Sequence, residues 1–107
     1  MRMTIFFLLR TTPAWLALPR DERDALAVEC LDRCGLSDCG TVRLFDAEAF
    51  NADVTDIMTV ETDDLAAFYF AVERLRDTPL LAHPYFEVRT ILPTVEDGFR
   101  AFAASTT

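Results

Sequence analysis

The sequence predicts an α+β domain whose elements follow the order β-α-β-β-α-β. Two observations carry this. Four segments, residues 3–11, 41–49, 54–61 and 86–92, alternate or run apolar as strands do. Between them lie two segments with helical spacing and capping signals, at residues 20–34 and 64–76. A length of 107 residues holds one real core but not two, so residues 1–107 are read as a single domain.

The first strand, Met3 to Thr11, is rich in aromatic and aliphatic residues on both faces, which marks a central strand covered on both sides. Pro13 ends it, and a loop carrying Trp15, Leu16 and Leu18 follows. Pro19 suits the start of the first helix, Asp21 and Glu22 suit the positive end of its dipole, and Gly35 suits its C-terminal cap. The second strand starts at Thr41, Asn51 to Asp53 form a turn, and the third strand starts at Val54. Thr62 or Asp63 caps the second helix, whose apolar stripe is Leu65, Phe68, Tyr69, Val72 and Leu75. Residues 80–85 read as a loop. The fourth strand begins at Phe86 and stops before Pro93, and a short helical tail sets Phe99 and Phe102 three positions apart.

This order is the split βαβ, or ferredoxin-like, pattern. Right-handed crossovers put the first and third strands at the centre of a four-stranded antiparallel sheet and the other two at its edges. Strict alternation then sorts the strands into two faces. One collects Ile5, Phe7, Leu9, Val42, Leu44, Met58, Val60, Phe86, Val88 and Leu92, and is predicted to carry the helices. The other mixes Phe6, Leu8, Phe45, Ile57 and Ile91 with Arg10, Arg43, Arg89, Glu61 and Glu87. Left bare, that face would be adhesive. The expected solution is a homodimer with the open sheet face as its two-fold interface.

Composition excludes several classes of function. Ten basic against 18 acidic residues leave a formal charge of −8, which disfavours nucleic acid and anionic membranes as partners. Every basic residue is Arg, so Schiff-base lysine chemistry and the Walker lysine are absent. Neither Ser37 nor Ser105 lies in a G-x-S-x-G elbow. Cys30, Cys34 and Cys39 are an odd number, unsuited to a secreted disulfide framework, and their spacing matches no common zinc motif. Cys30 and Cys34 are read as small buried hydrophobes, with no metal and no cofactor expected. The apolar run that stops at Arg10 is shorter than a usual signal-peptide core of roughly 7–15 residues, so a cytoplasmic location is expected.

The candidate site residues are few. Trp15 just past a central strand either walls an aromatic-ligand pocket or plugs the end of the domain. His83 is the sole histidine and the group best matched to proton transfer near neutrality; one histidine would also suffice as a proximal haem ligand. Asp46 and Asp56 share the helix-facing parity, and Asp56, inside its strand, is the stronger candidate for an enclosed carboxyl. Arg10, Arg43 and Arg89 on the open face either pair with Glu61 and Glu87 at a dimer seam or clamp a ligand carboxylate. Tyr85 and Phe45 complete the candidate walls.

The segments Thr12-Pro13-Ala14-Trp15-Leu16, Arg43-Leu44-Phe45-Asp46-Ala47-Glu48-Ala49-Phe50, Pro84-Tyr85-Phe86 and Glu96-Asp97-Gly98-Phe99, with Asp56, resemble the darcynin family of small bacterial proteins. The likeness spans nearly the whole chain. It implies a ferredoxin-like dimeric α/β-barrel fold and names no activity. At the level of fold the chain is also similar to dimeric α/β-barrel enzymes, which hold small, often aromatic ligands between helices and sheet. The functional expectation is a domain binding a hydrophobic or aromatic metabolite, with His83 and Asp56 as catalytic groups. Trp15, Arg10, Arg43, Phe45 and Tyr85 would be its ligand contacts. The rival is a non-catalytic dimerising regulatory or accessory module.

Overall fold

A computed structural model describes residues 1–106. Its elements run β1 (Met3–Thr11), α1 (Pro13–Leu16), α2 (Arg20–Cys34), α3 (Leu36–Cys39), β2 (Thr41–Asp46), β3 (Asp56–Thr62), α4 (Leu65–Arg76), α5 (Pro79–Ala82), β4 (Phe86–Thr94) and α6 (Gly98–Ser105). The strands form one antiparallel sheet in the order β2-β3-β1-β4, with β1 and β3 central as the crossover rule requires. The fold is α+β and ferredoxin-like, with a C-terminal helix added.

Helices α2 and α4 cover one face. Ile5 and Phe7 from β1 and Met58 and Val60 from β3 are buried against Cys30, Cys34, Leu36, Ala71, Leu75 and Leu80. The Phe7 ring meets Phe68 edge-on at 5.9 Å. All three cysteines are free; Cys30 and Cys34 are buried, as their spacing on α2 predicts, and Cys39 is half-buried. Burial pushes the Cys34 thiol up, so it sits in the core as a neutral hydrophobe. Gly35 ends α2 at φ 79°, a left-handed cap that costs other residues strain. Beside it, Arg74 Nε of α4 donates to the Cys34 carbonyl at 2.8 Å, joining the two helices. No helix among the described residues is long and apolar enough to cross a membrane.

α4 is capped by Asp64, whose carboxylate accepts from Ala67 N–H at 3.0 Å, rather than by Thr62 or Asp63, and β3 begins at Asp56 rather than at Val54 because Asn51 to Val54 are taken up by the turn. Four further expectations change. Both predicted loops contain a single helical turn: Pro13 and Pro79 occupy the first helical positions of α1 and α5, behind Thr12 and Thr78. β2 stops at Asp46 rather than at residue 49, because the chain turns just after it: the Ala47 carbonyl accepts from Phe50 and Asn51 N–H at 2.9 and 3.0 Å. β4 continues through Pro93, which an edge strand tolerates because the missing N–H can face solvent. The fourth concerns faces. A bulge leaves Arg89 unpaired between Leu8↔Thr90 and Leu9↔Val88, so Ile91 lies opposite Phe7 and Leu92 opposite Phe6. Ile91 therefore belongs to the helix-facing side and Leu92 to the open side, the reverse of strict alternation.

Candidate functional site

The site lies at the end of the sheet where β1 and β2 finish and β3 and β4 begin. α1 exists because Thr12 caps it: its Oγ1 accepts from Trp15 N–H at 3.3 Å and donates to the Pro84 and Tyr85 carbonyls at 3.0 and 3.1 Å. The Thr12 backbone N–H also donates to the Tyr85 carbonyl at 3.0 Å. These bonds hold the indole of Trp15, only 8% exposed, with its ring centre 4.8 Å from Phe86 and 5.7 Å from Tyr85. Arg23 on α2 fixes the following turn, donating from Nε to the Leu18 carbonyl and from Nη2 to the Leu16 carbonyl, both at 2.9 Å.

Under this frame a cleft of about 680 Å³ opens between α2 and the sheet. Its walls include Phe7, Leu9, Trp15, Met58, Leu80 and Phe86. Arg20, Arg23 and Asp24 stand on the α2 side, and Leu44, Phe45, Asp46, Glu48 and Asp56 at the mouth beside the β2–β3 edge. A mostly apolar concavity of this size with convergent polar groups suits a small ligand.

Asp56 is half-buried and lies directly opposite Asp46 in the β2–β3 ladder. Thr55 Oγ1 donates to Asp56 Oδ2 at 2.8 Å. The same oxygen accepts from Thr11 N–H at 2.9 Å. Burial pushes the Asp56 carboxyl above the ordinary carboxylate range; the Thr55 bond opposes this, and the negative charges of Glu48 and Asp46 add to it. One carboxylate oxygen from each of Asp46, Glu48 and Asp56 lies within 4.8 Å of the others.

Of the residues singled out from the sequence, the structure brings Trp15, Phe45 and Asp56 to the cleft, with Asp46 beside them. Tyr85 touches Trp15 from behind and borders a shallow groove with Leu18 and Glu22 instead. His83 is exposed, outside the cleft lining, its ring stacked on Tyr85 at 4.2 Å and 12°. Arg10 and Arg43 lie on the open face, pairing across the ladders with Glu87 and Thr59. Strand geometry sets those two arginines about 16 Å apart with β3 between them. Arg89 pairs with Glu87 at 3.6 Å, and Glu61 with Arg2 at 3.0 Å.

Sequence reasoning missed Glu48, Arg20 and Arg23. Glu48 was hidden by extending β2 too far. The available signal was Asn51, whose Oδ1 accepts from Asp53 and Val54 N–H at 2.8 and 2.9 Å and so turns the chain back early. The arginines look like an ordinary solvated helix start until α1 is known to fold over them.

Fold and cleft together define a ferredoxin-like α+β protein with a ligand-sized space between helix and sheet. The chain belongs to the darcynin family, whose model, described as "Darcynin, domain of unknown function", matches residues 1–106. It is 51% identical over 63 residues to a Darcynin of Chromobacterium violaceum, covering 59% of this chain and 80% of that protein. It is 37% identical over 99 residues to a Darcynin homolog of Streptomyces avermitilis, covering 91% of this chain and 81% of that protein. Among solved structures it is similar to a heme-binding protein from Thermus thermophilus, with TM-score 0.74 and 19% identity over 95% of this chain and 44% of that one. A chlorite dismutase variant from Candidatus Nitrospira defluvii gives TM-score 0.72 and 22% identity over 86% of this chain and 39% of that one. At such identities the likeness shows the fold alone, and the chain spans about two fifths of the length of these structures.

Proposed function

We propose that this protein binds a small hydrophobic or aromatic metabolite in the cleft between α2 and the sheet, as a homodimer that covers the open sheet face. The observation that carries the reading is the cleft itself: about 680 Å³, walled by Trp15, Phe86 and aliphatic side chains, with a half-buried carboxyl at its mouth. Trp15 and Phe45 are the flat contacts. Asp56, whose proton is held more tightly than an ordinary carboxyl's, is the group equipped to accept and return one, so the reading extends to a cofactor-free enzyme. Arg10 and Arg43 serve the dimer seam in this reading, and Tyr85 supports Trp15.

Haem does not fit this cleft. Its lining contains neither His nor Cys, and the sole histidine is outside it, stacked on Tyr85.

One observation favours the rival, a non-catalytic dimerising module: His83, the sole histidine, stands in solvent away from the cleft. A thermal-shift screen against aromatic acids, phenols and quinones separates the two. A ligand at a hundred times its Kd adds about 2.7 kcal/mol to the folded state. The expected result is a dose-dependent rise that Trp15→Phe reduces and His83→Ala leaves intact. A flat response from a protein that sediments as a dimer would overturn the ligand reading in favour of the module.

A further inference from the structure

We infer that the ligand of the cleft is an organic cation: a protonated amine on a hydrophobic or aromatic body, its ammonium held by Asp46, Glu48 and Asp56. This names the class of ligand for the binding reading above and rests on it; it does not need the dimer.

The cleft is a ligand-sized space by its apolar walls alone, and the charges on those walls decide what its occupant carries. The lining sets four carboxyls, those of Asp24, Asp46, Glu48 and Asp56, against the two guanidiniums of Arg20 and Arg23. Both guanidiniums stand on α2. Arg23 is committed to the carbonyls of Leu16 and Leu18, and Arg20 has Asp24 one turn further along its own wall.

At the mouth the three acids have only one another. One oxygen of each lies within 4.8 Å of the others, yet the ion pairs among the described residues are Arg2–Glu61, Arg33–Glu29 and Arg89–Glu87. The chain has no lysine to reach across to them. Part of the repulsion is relieved by the proton on Asp56, held there first by burial and then by the charges of Glu48 and Asp46. An ammonium relieves the same repulsion and brings up to three N–H donors to the carboxylates.

The sheet register places an apolar floor beside that charge. Asp46↔Asp56, Asp56↔Leu9 and Leu9↔Val88 are cross-strand partners in one row, so all four side chains share the helix-facing side. With strands about 4.8 Å apart, Leu9 lies about 5 Å and Val88 about 10 Å from Asp56. Trp15 and Phe86, ring centres 4.8 Å apart, wall the same end of the sheet. A body resting on Leu9 and reaching toward those rings therefore carries its charge on a short tether. An anion would meet repulsion at the mouth, and a bare metal ion would leave the apolar floor unused. The amine engages both.

Phenethylamine, phenethyl alcohol and hydrocinnamate share one body and differ in charge at neutral pH, so titration calorimetry on the full chain separates charge from shape. The amine should bind about tenfold tighter than the alcohol, and the acid more weakly than either. Asp46→Asn with Glu48→Gln, both at exposed positions, should bring the amine down to the alcohol's affinity and leave the alcohol unchanged. If the alcohol or the acid binds as tightly as the amine, or the double variant keeps the amine's advantage, the cation is overturned and the ligand reading stands. Magnesium or calcium chloride that stabilises the wild type but not the double variant, with no advantage for the amine, assigns the acids to a metal and overturns the inference as well. Silence from all three probes overturns it too; the ligand reading then survives only if phenols or quinones still bind in the wider screen.

Discussion

Phe6 and Phe7 are neighbours with the same ring, yet one serves the open side of the sheet and the other the covered side. Phe7 is 1% exposed against α4, whereas Phe6 is half-buried on a face that no helix among the described residues covers. The difference is a matter of parity alone. It teaches that the two faces differ in kind: the covered one holds the fold and floors the cleft, and the open one is the surface to which the proposed dimer assigns assembly.

The largest effect expected from breaking this contrast is on the covered face. Phe7→Ala should cost about 3–5 kcal/mol in urea unfolding, because it leaves a cavity beneath α4. Phe6→Ala, measured where the chain is monomeric, should cost about 1 kcal/mol. Comparable losses at the two positions would show that the faces are not functionally distinct.

Leu8→Glu sharpens the same contrast from the open side. Placed among Phe6, Ile57 and Leu92, the charge should abolish the dimer in sedimentation while changing monomer stability by no more than about 1 kcal/mol. A variant that stays dimeric would remove the open face from the interface.

Asp56 gives a smaller, pH-dependent effect. Its folded carboxyl is raised, chiefly by burial, so the folded state binds the proton more tightly than the unfolded chain. Its favourable contribution is present below the unfolded carboxyl's range and is lost as pH rises through the raised value. Asp56→Asn should therefore flatten that decline and leave the protein unchanged or up to about 1 kcal/mol more stable at pH 7, a figure kept low by partial exposure. A clear destabilisation at pH 7 would mean that the ionised form is held by a favourable partner. The smallest effect belongs to Arg89→Ala, which removes a half-exposed ion pair of 3.6 Å and should change monomer stability by less than about 0.5 kcal/mol.

Alternation made the covered face legible in the sequence: Ile5, Phe7, Met58 and Val60 are core residues read from period-two spacing. It failed beyond Arg89 because a bulge inserts one residue without a sequence marker, exchanging the roles of Ile91 and Leu92. Trp15 was readable as a candidate cleft wall by being unique and just past a central strand, and it does line the cleft. Its housing was less so, because the Thr12 cap bonds to Pro84 and Tyr85, a pairing that local pattern does not carry. His83 attracted attention for its chemistry, which says nothing about which way a loop turns.

The bonds from Thr12 to the carbonyls of Pro84 and Tyr85 span 72 and 73 positions, and β1 is laddered to β4 from Thr4↔Thr94 to Thr11↔Phe86. One wall of the cleft is therefore closed by the most distant pairing in the sheet. Loop-closure entropy opposes such contacts until the intervening chain has already collapsed. The compartment around Trp15 should thus be among the last parts to assemble. Its Thr12 amide, anchored to the last strand's approach, should exchange hydrogen only when the β1–β4 seam opens. The protein can lose its cleft by unzipping one edge strand while β1, β3 and the helices stay together, so occupancy of the site would report directly on whether that seam is shut.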